Sequence, residues 1–145
     1  MPLYVRKAGT WHLVSAFVRK GGLWNALTAS VRKAGTWHTV SVPLTVTLDT
    51  GTCTKFVSGG ANPQTLTTNT VTATPHGGTG PYTYAWSRSS GDTHLSATAA
   101  TSATTAFTSS NHFTNDFTGY WLCTVTDHLG ATATALVYVE TDLEP

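Results

Sequence analysis

Apolar and polar residues alternate along this chain with two different rhythms. Before residue 43 the pattern is a repeated phrase. Val5-Arg6-Lys7-Ala8-Gly9-Thr10-Trp11-His12 returns as Val18-Arg19-Lys20-Gly21-Gly22-Leu23-Trp24-Asn25 and again as Val31-Arg32-Lys33-Ala34-Gly35-Thr36-Trp37-His38, a step of 13 residues each time. Each copy has two short arms around a Gly-containing pair, which predicts three β-hairpins. In the first, residues 4–7 and 10–14 are the arms and Ala8-Gly9 the turn, so Lys7 faces Thr10, Arg6 faces Trp11 and Val5 faces His12. One face then carries Tyr4, Arg6, Trp11 and Leu13, with the guanidinium over the indole, worth about 0.5–1 kcal/mol where exposed. The second copy places Phe17, Arg19, Trp24 and Ala26 in the same way; the third offers Ser30, Arg32, Trp37 and Thr39. A unit this short cannot bury its own apolar face, and an isolated hairpin is marginal in water. Copies must therefore stack on each other or on copies from other chains.

After Pro43 the rhythm becomes a period of two, broken by Gly and Pro, the pattern of an all-β sandwich. Leu44-Thr45-Val46-Thr47-Leu48 predicts a first strand, residues 50–64 a long irregular connection, and residues 68–74 a second strand with Val71 and Ala73 inward. The stretch His76-Gly77-Gly78-Thr79-Gly80-Pro81 forces a tight turn and leads into a strand with Tyr82, Tyr84 and Trp86 on one face. Short strands follow at residues 95–99 and 104–108, then a loop at 111–118 holding Phe113 and Phe117. Residues 119–127 put Trp121, Cys123 and Val125 on one side, and a turn at 127–130 leads to a last strand at 131–139. The expected core is Val71, Tyr84, Trp86, Phe107, Trp121, Cys123, Val125, Leu136 and Tyr138. The chain thus divides into hairpin repeats (1–42), a sandwich (43–140) and a frayed acidic tail (141–145).

Net charge is only +1, but it is unevenly spread. Six of the eight Lys and Arg (Arg6, Lys7, Arg19, Lys20, Arg32, Lys33) precede residue 34, where there is no acid; all seven acids follow it, against Lys55 and Arg88 alone. Paired Arg-Lys on hairpin arms keeps strand edges soluble or docks against an acidic protein partner. Both readings are favoured over nucleic-acid contact, because a Trp at a fixed place in a hairpin is packing more often than a base platform. The first residues contain no long apolar stretch after the basic ones, so no secretory leader is expected, and no run is long enough to span a bilayer. The two cysteines, Cys53 and Cys123, are not in metal spacing and suit a chain assembled in a cytoplasm.

Catalysis finds no support in the residues. The six histidines (His12, His38, His76, His94, His112, His128) are scattered, and no His-x-x-x-His, Cys-His cluster or Gly-x-Ser-x-Gly elbow occurs. The glycine-rich stretch before Tyr82 has neither a following helix nor a Gly-Lys-Ser/Thr ending, so a phosphate loop is not expected. Asp127 reads as a turn cap rather than an acid catalyst. No catalytic residue, metal ligand or cofactor is assigned.

The Gly-Gly-x-Gly-Pro-Tyr-x-Tyr-x-Trp strand, the aromatic-x-Cys-x-Val-Thr-Asp strand and the Gly-containing hairpin into a final strand resemble the immunoglobulin-like and PKD-like domains common in tailed-phage virion proteins and surface adhesins. The resemblance covers about residues 44–139. It implies an antiparallel sandwich with Trp86 as the buried tryptophan of strand C and Cys123 on strand F. Ala73 stands where the partner cysteine of the inter-sheet disulfide would be, so that bond is not expected and Cys123 is a buried thiol near Trp86. Trp121 replaces the tyrosine two residues before the cysteine, so a hydroxyl-made corner is lost. The copies at residues 4–42 are similar to short Val-Lys-x-Gly-Gly-x-Trp repeats of phage tail and fibre proteins, and less closely to choline-binding and other wall-binding repeats.

Together these resemblances imply a structural virion protein made in the host cytoplasm. Arg6, Lys7, Trp11, Arg19, Lys20, Trp24, Arg32, Lys33 and Trp37 would dock it to other virion proteins and to further copies of itself. The sandwich would project and touch a host surface glycan or protein weakly, multiplied by symmetry. The alternative is a carbohydrate- or cell-wall-binding module in which Trp11, Trp24 and Trp37 stack on sugar rings. No membrane or nucleic-acid partner is expected.

Overall fold

The protein is described here by a computed structural model, which covers residues 3–7, 10–14, 17–20, 23–26, 30–33, 36–39 and 42–145, with side chains from residue 42 onward. It divides into two units, Met1–Val42 and Pro43–Pro145. In the first, β1 (Leu3–Lys7) pairs antiparallel with β2 (Thr10–Val14), β3 (Phe17–Lys20) with β4 (Leu23–Ala26), and β5 (Ser30–Lys33) with β6 (Thr36–Thr39). The registers set Arg6 opposite Trp11, Arg19 opposite Trp24 and Arg32 opposite Trp37, each with its Lys one step nearer the loop. The expected turn residues at 8–9, 21–22 and 34–35, and the stacking of guanidinium on indole, lie outside the described residues.

The second unit is all-β. One layer is the four-stranded sheet β11 (Thr83–Gly91), β15 (Asn115–Thr126), β16 (Thr132–Glu144) and β8 (Thr52–Ser58), in that order. The other is built of two ladders: β7 (Thr45–Leu48), β10 (Val71–His76) and β13 (Thr104–Thr105), then β9 (Gln64–Thr67), β14 (Phe107–Asn111) and β12 (Ser96–Ala97). Both belong to one pair of long strands interrupted by a bulge. Val71 faces Thr105 while Thr67 faces Thr108, so three residues oppose two across the gap. The break is closed by the Thr68 amide on the Phe107 carbonyl (2.9 Å) and the Phe107 amide on Thr68 Oγ1 (3.0 Å).

Between the layers lies a dry cluster of Cys53, Val71, Ala73, Trp86, Leu95, Phe107, Phe117, Trp121, Cys123, Val125, Val137 and Val139. The strands β10, β15 and β16 contribute alternate residues to it, as a pleated sheet with one wet face must. Val71, Trp86, Trp121, Cys123 and Val125 are all buried, and Tyr82 and Tyr84 pack half-buried beside Trp86.

Several expectations from the sequence are corrected. Residues 52–58 are no loose connection: β8 pairs parallel with β16, Cys53 opposite Val139, so the sandwich is mixed rather than purely antiparallel. Leu136 is exposed and Tyr138 half-buried, while Val137 and Val139 face the core, because Ala135-Leu136-Val137-Tyr138-Val139 is apolar at every position and its parity is set only by pairing with β15. Residues 141–144 are not a tail. They continue β16, with Thr141 and Leu143 fully buried and the acids on the outer side, and β15 already begins at Asn115 inside the expected 111–118 loop.

The close approach of β11 to β15 depends on glycine. After a register shift between Arg88 and Ser90, Gly91 stands opposite Gly119 with φ +93°, and a Cβ there would lie 2.3 Å from both Gly119 Cα and the Thr118 carbonyl oxygen. Gly91→Ala is therefore expected to cost at least about 2 kcal/mol through positive φ and overpacking together. Urea unfolding of the full chain measures it; an unchanged midpoint would show that the strands part freely here.

Candidate functional site

Three places in the described structure bring polar chemistry together. The first is the loop end formed by residues 76–82 and 127–131. Asp127 directs one carboxylate oxygen to the Thr79 amide (2.9 Å) and the other to the amides of Leu129 (2.9 Å) and Ala131 (2.8 Å). The His128 amide donates to the Thr79 carbonyl (2.8 Å), and Tyr82 OH to the Gly77 carbonyl (2.6 Å). Gly78 is required there, since with φ +63° a Cβ would sit 2.9 Å from Asp127 Oδ2 and 3.0 Å from Leu44 Cδ1. Burial opposes the Asp127 charge, but the backbone donors outweigh it and hold the carboxyl below its ordinary 3.8. The glycine-rich stretch is thus filled by the protein's own carboxylate, and Asp127 is a loop latch.

The second is the pair of thiols. Cys53 and Cys123 are buried and unbonded. They lie two strands and four register steps apart, about 10 Å across and about 13 Å along the sheet, beyond the reach of a disulfide. Burial, then the Asp49 charge, pushes the Cys53 thiol up to about 11 against a Thr68 hydrogen bond; burial alone pushes Cys123 to about 11. Neither is a nucleophile at neutral pH. In the core above Cys123, Trp86 Nε1 donates to the Ser102 carbonyl (2.9 Å), while Trp121 Nε1 is buried without a partner, so no corner hydrogen bond replaces the missing tyrosine.

The third is the outer face of the four-stranded sheet. Tyr120 and Tyr138 lie side by side (ring centroids 5.4 Å), Thr118 faces Glu140, Asp116 faces Asp142, and Phe56 lies beside Asp142 on β8. Asp92 closes the same end, accepting the Thr118 amide (2.9 Å). Burial, then the charges of Asp142 and Asp92, raises the Asp116 carboxyl; burial, then Asp116 and Asp142, raises Glu140. An acid whose folded-state pKa is raised weakens the fold at neutral pH and stops doing so as pH falls through that value. Among the described residues no group of three or more His, Cys, Asp or Glu is arranged to hold a metal ion, and no helix is long and apolar enough to cross a membrane.

Of the residues expected to dock, the arms bring each Arg opposite its Trp along the backbone, and their side chains lie outside the described residues. The outer face is a surface that sequence reasoning missed, because its members come from residues 56 to 142 and share no local motif.

The class defined by this geometry is the immunoglobulin-like sandwich. The ladder β7–β10–β13, extended through β9, β14 and β12, has the order A-B-E-D, and β11–β15–β16 the order C-F-G, with β8 added beside the last strand. The chain is similar to the solution structure of the PKD domain (329–428) from human KIAA0319, at 16% identity and a TM-score of 0.43, covering 81% of this chain and 95% of that one. No protein-family model matches it, and no curated protein sequence does.

The Asp127 latch carries a pH signature. Because its pKa is lowered on folding, its stabilisation is present above the unfolded value of 3.8 and lost as pH falls through the folded one. Asp127→Asn is expected to lower Tm by several degrees at pH 7, with the gap to the parent closing below pH 3.8. Thermal melts from pH 7 to pH 2.5, spanning that value, measure this, and a gap constant across the range would show that the charge is not what holds the loops.

Proposed function

We propose that the protein is a non-catalytic structural component of a tailed-bacteriophage virion. The repeats dock it to the particle and to further copies of itself, and the sandwich projects, touching a host surface weakly and in many copies. The observation that carries this reading is the join of three basic, Trp-bearing arms in one register to a sandwich whose carboxylates are structural or solvent-facing and whose thiols are inert. Docking needs a repeated adhesive unit and a rigid body behind it, and those two things are what the chain supplies.

A second reading has one observation in its favour: Trp11, Trp24 and Trp37 occupy equivalent register positions on their arms, so that a single sugar contact would be repeated three times. Two measurements separate the readings. Protein mass spectrometry of purified particles of the encoding phage is expected to find the chain at many copies per particle, and Trp24→Ala to reduce its incorporation at least tenfold. A glycan array bound by the parent and not by Trp24→Ala, with the chain missing from particles, would replace the virion reading with the wall-binding one.

A further inference from the structure

We propose that the outer face of the β11–β15–β16–β8 sheet receives the Arg-Lys-Trp arms of a second copy of this chain, so that copies associate head to tail. The inference rests on the reading of the repeats as docking segments and names the surface on which they dock.

Four large apolar side chains are exposed among the described residues, and three of them, Phe56, Tyr120 and Leu136, stand on this one face, at 58%, 45% and 49% exposure. Tyr138 joins Tyr120 and Leu136 in a continuous row along β15 and β16. Scattered exposed apolar residues need no explanation, but a clustered patch rimmed by charge marks an interaction surface. The acids gather at one end of it: Asp116 and Asp142 sit directly opposite each other, with Glu140 next along β16 and Asp92, whose carbonyl accepts from Arg88 Nη1 (2.9 Å), across β15. Like charges directly opposite on a sheet destabilise it. The electrostatic neighbours that act on Asp116 and Glu140 are all carboxylates. A cation arriving from outside would relieve that repulsion.

The complement is on the same chain. Arg6-Lys7, Arg19-Lys20 and Arg32-Lys33 provide six cations in a stretch without a single acid, and each Arg stands opposite a Trp on its hairpin. A guanidinium is the group suited to a facing pair of carboxylates, since it can take the Asp116–Asp142 pair in forked hydrogen bonds. A chain with three such arms and one such face has more arms than it can seat on itself. At least two remain for neighbours, and an arm-to-face contact is heterologous, which propagates instead of closing as a two-fold dimer.

Sedimentation velocity on the full chain at low salt tests this, with circular dichroism to confirm folding of each variant. The parent is expected to show a mass that rises with concentration and falls with added salt. Asp116→Lys with Asp142→Lys should stay monomeric, the neutral pair Asp116→Asn with Asp142→Asn should need at least tenfold more protein to associate, and Arg6→Glu with Arg19→Glu and Arg32→Glu should also stay monomeric. Mixing the two charge-reversed variants should restore association, since each retains the half the other lost. Association unchanged by both Asp116/Asp142 pairs but abolished by the Arg reversals would overturn the proposed face and leave the docking role of the repeats standing. Association indifferent to the Arg reversals would overturn both. A parent that is monomeric at every concentration, including one whose arms close on its own sheet, would overturn the head-to-tail contact, and particle incorporation would then decide the docking role separately.

Discussion

The contact that the sandwich depends on is the ring of Phe107, which is fully buried between the two tryptophans of the opposite sheet. It meets Trp86 edge-on at 6.1 Å and Trp121 at 5.0 Å, and so ties the β14 layer to both β11 and β15. Aromatic pairs of this kind are worth about 0.5–1.5 kcal/mol each beyond the area they bury. They stand where many sandwiches of this order place a disulfide, and here the layers are joined without one. A unit of this size can hold a core without a crosslink. The bulge at residues 68–70 re-phases its own strand, so that Leu66 and then Val71 face inward beside Phe107, while Thr68 accepts the Phe107 amide left by the irregularity.

Where pattern and pairing agree, the fold was legible. The alternation of Val71 with Ala73, of Tyr82, Tyr84 and Trp86, and of Trp121, Cys123 and Val125 reports one buried face directly, and the missing cysteine at Ala73 told correctly against the usual crosslink. Where the pattern is uniform or crowded with turn residues, it was not. The run from Ala135 to Val139 is apolar on both faces because the sheet's outer side is itself apolar at Leu136 and Tyr138, so parity could not be read. Residues 52–58 lie between glycines and pair in parallel with a partner some 85 residues away, a contact with no local trace. The last acids looked like a solvated tail because their inward partners, Thr141 and Leu143, are only two.

Long-range pairing likewise hides the candidate face from the sequence and leaves the latch half visible. Asp127 beside His128-Leu129-Gly130 reads as a turn cap from sequence alone, but its second half, the glycine-rich loop 48 residues earlier, is supplied by topology. The outer face takes Phe56, Asp116, Tyr120, Tyr138 and Asp142 from three strands and Asp92 from just past the end of a fourth, and only the register brings them together. What the sequence does display openly is the charge division, with six of the eight cations in one unit and all the acids in the other, and the face shows where part of the acid half is concentrated.

Aromatic packing, with no covalent bond, holds the two layers together. The direct measurement is denaturant unfolding of the full chain with and without reductant, accompanied by a thiol count before and after unfolding. The midpoint is expected to be the same in both conditions, with both cysteines unreactive in the folded protein and both titrating once it unfolds. A midpoint that falls on reduction, or fewer than two thiols in the unfolded, unreduced chain, would contradict it.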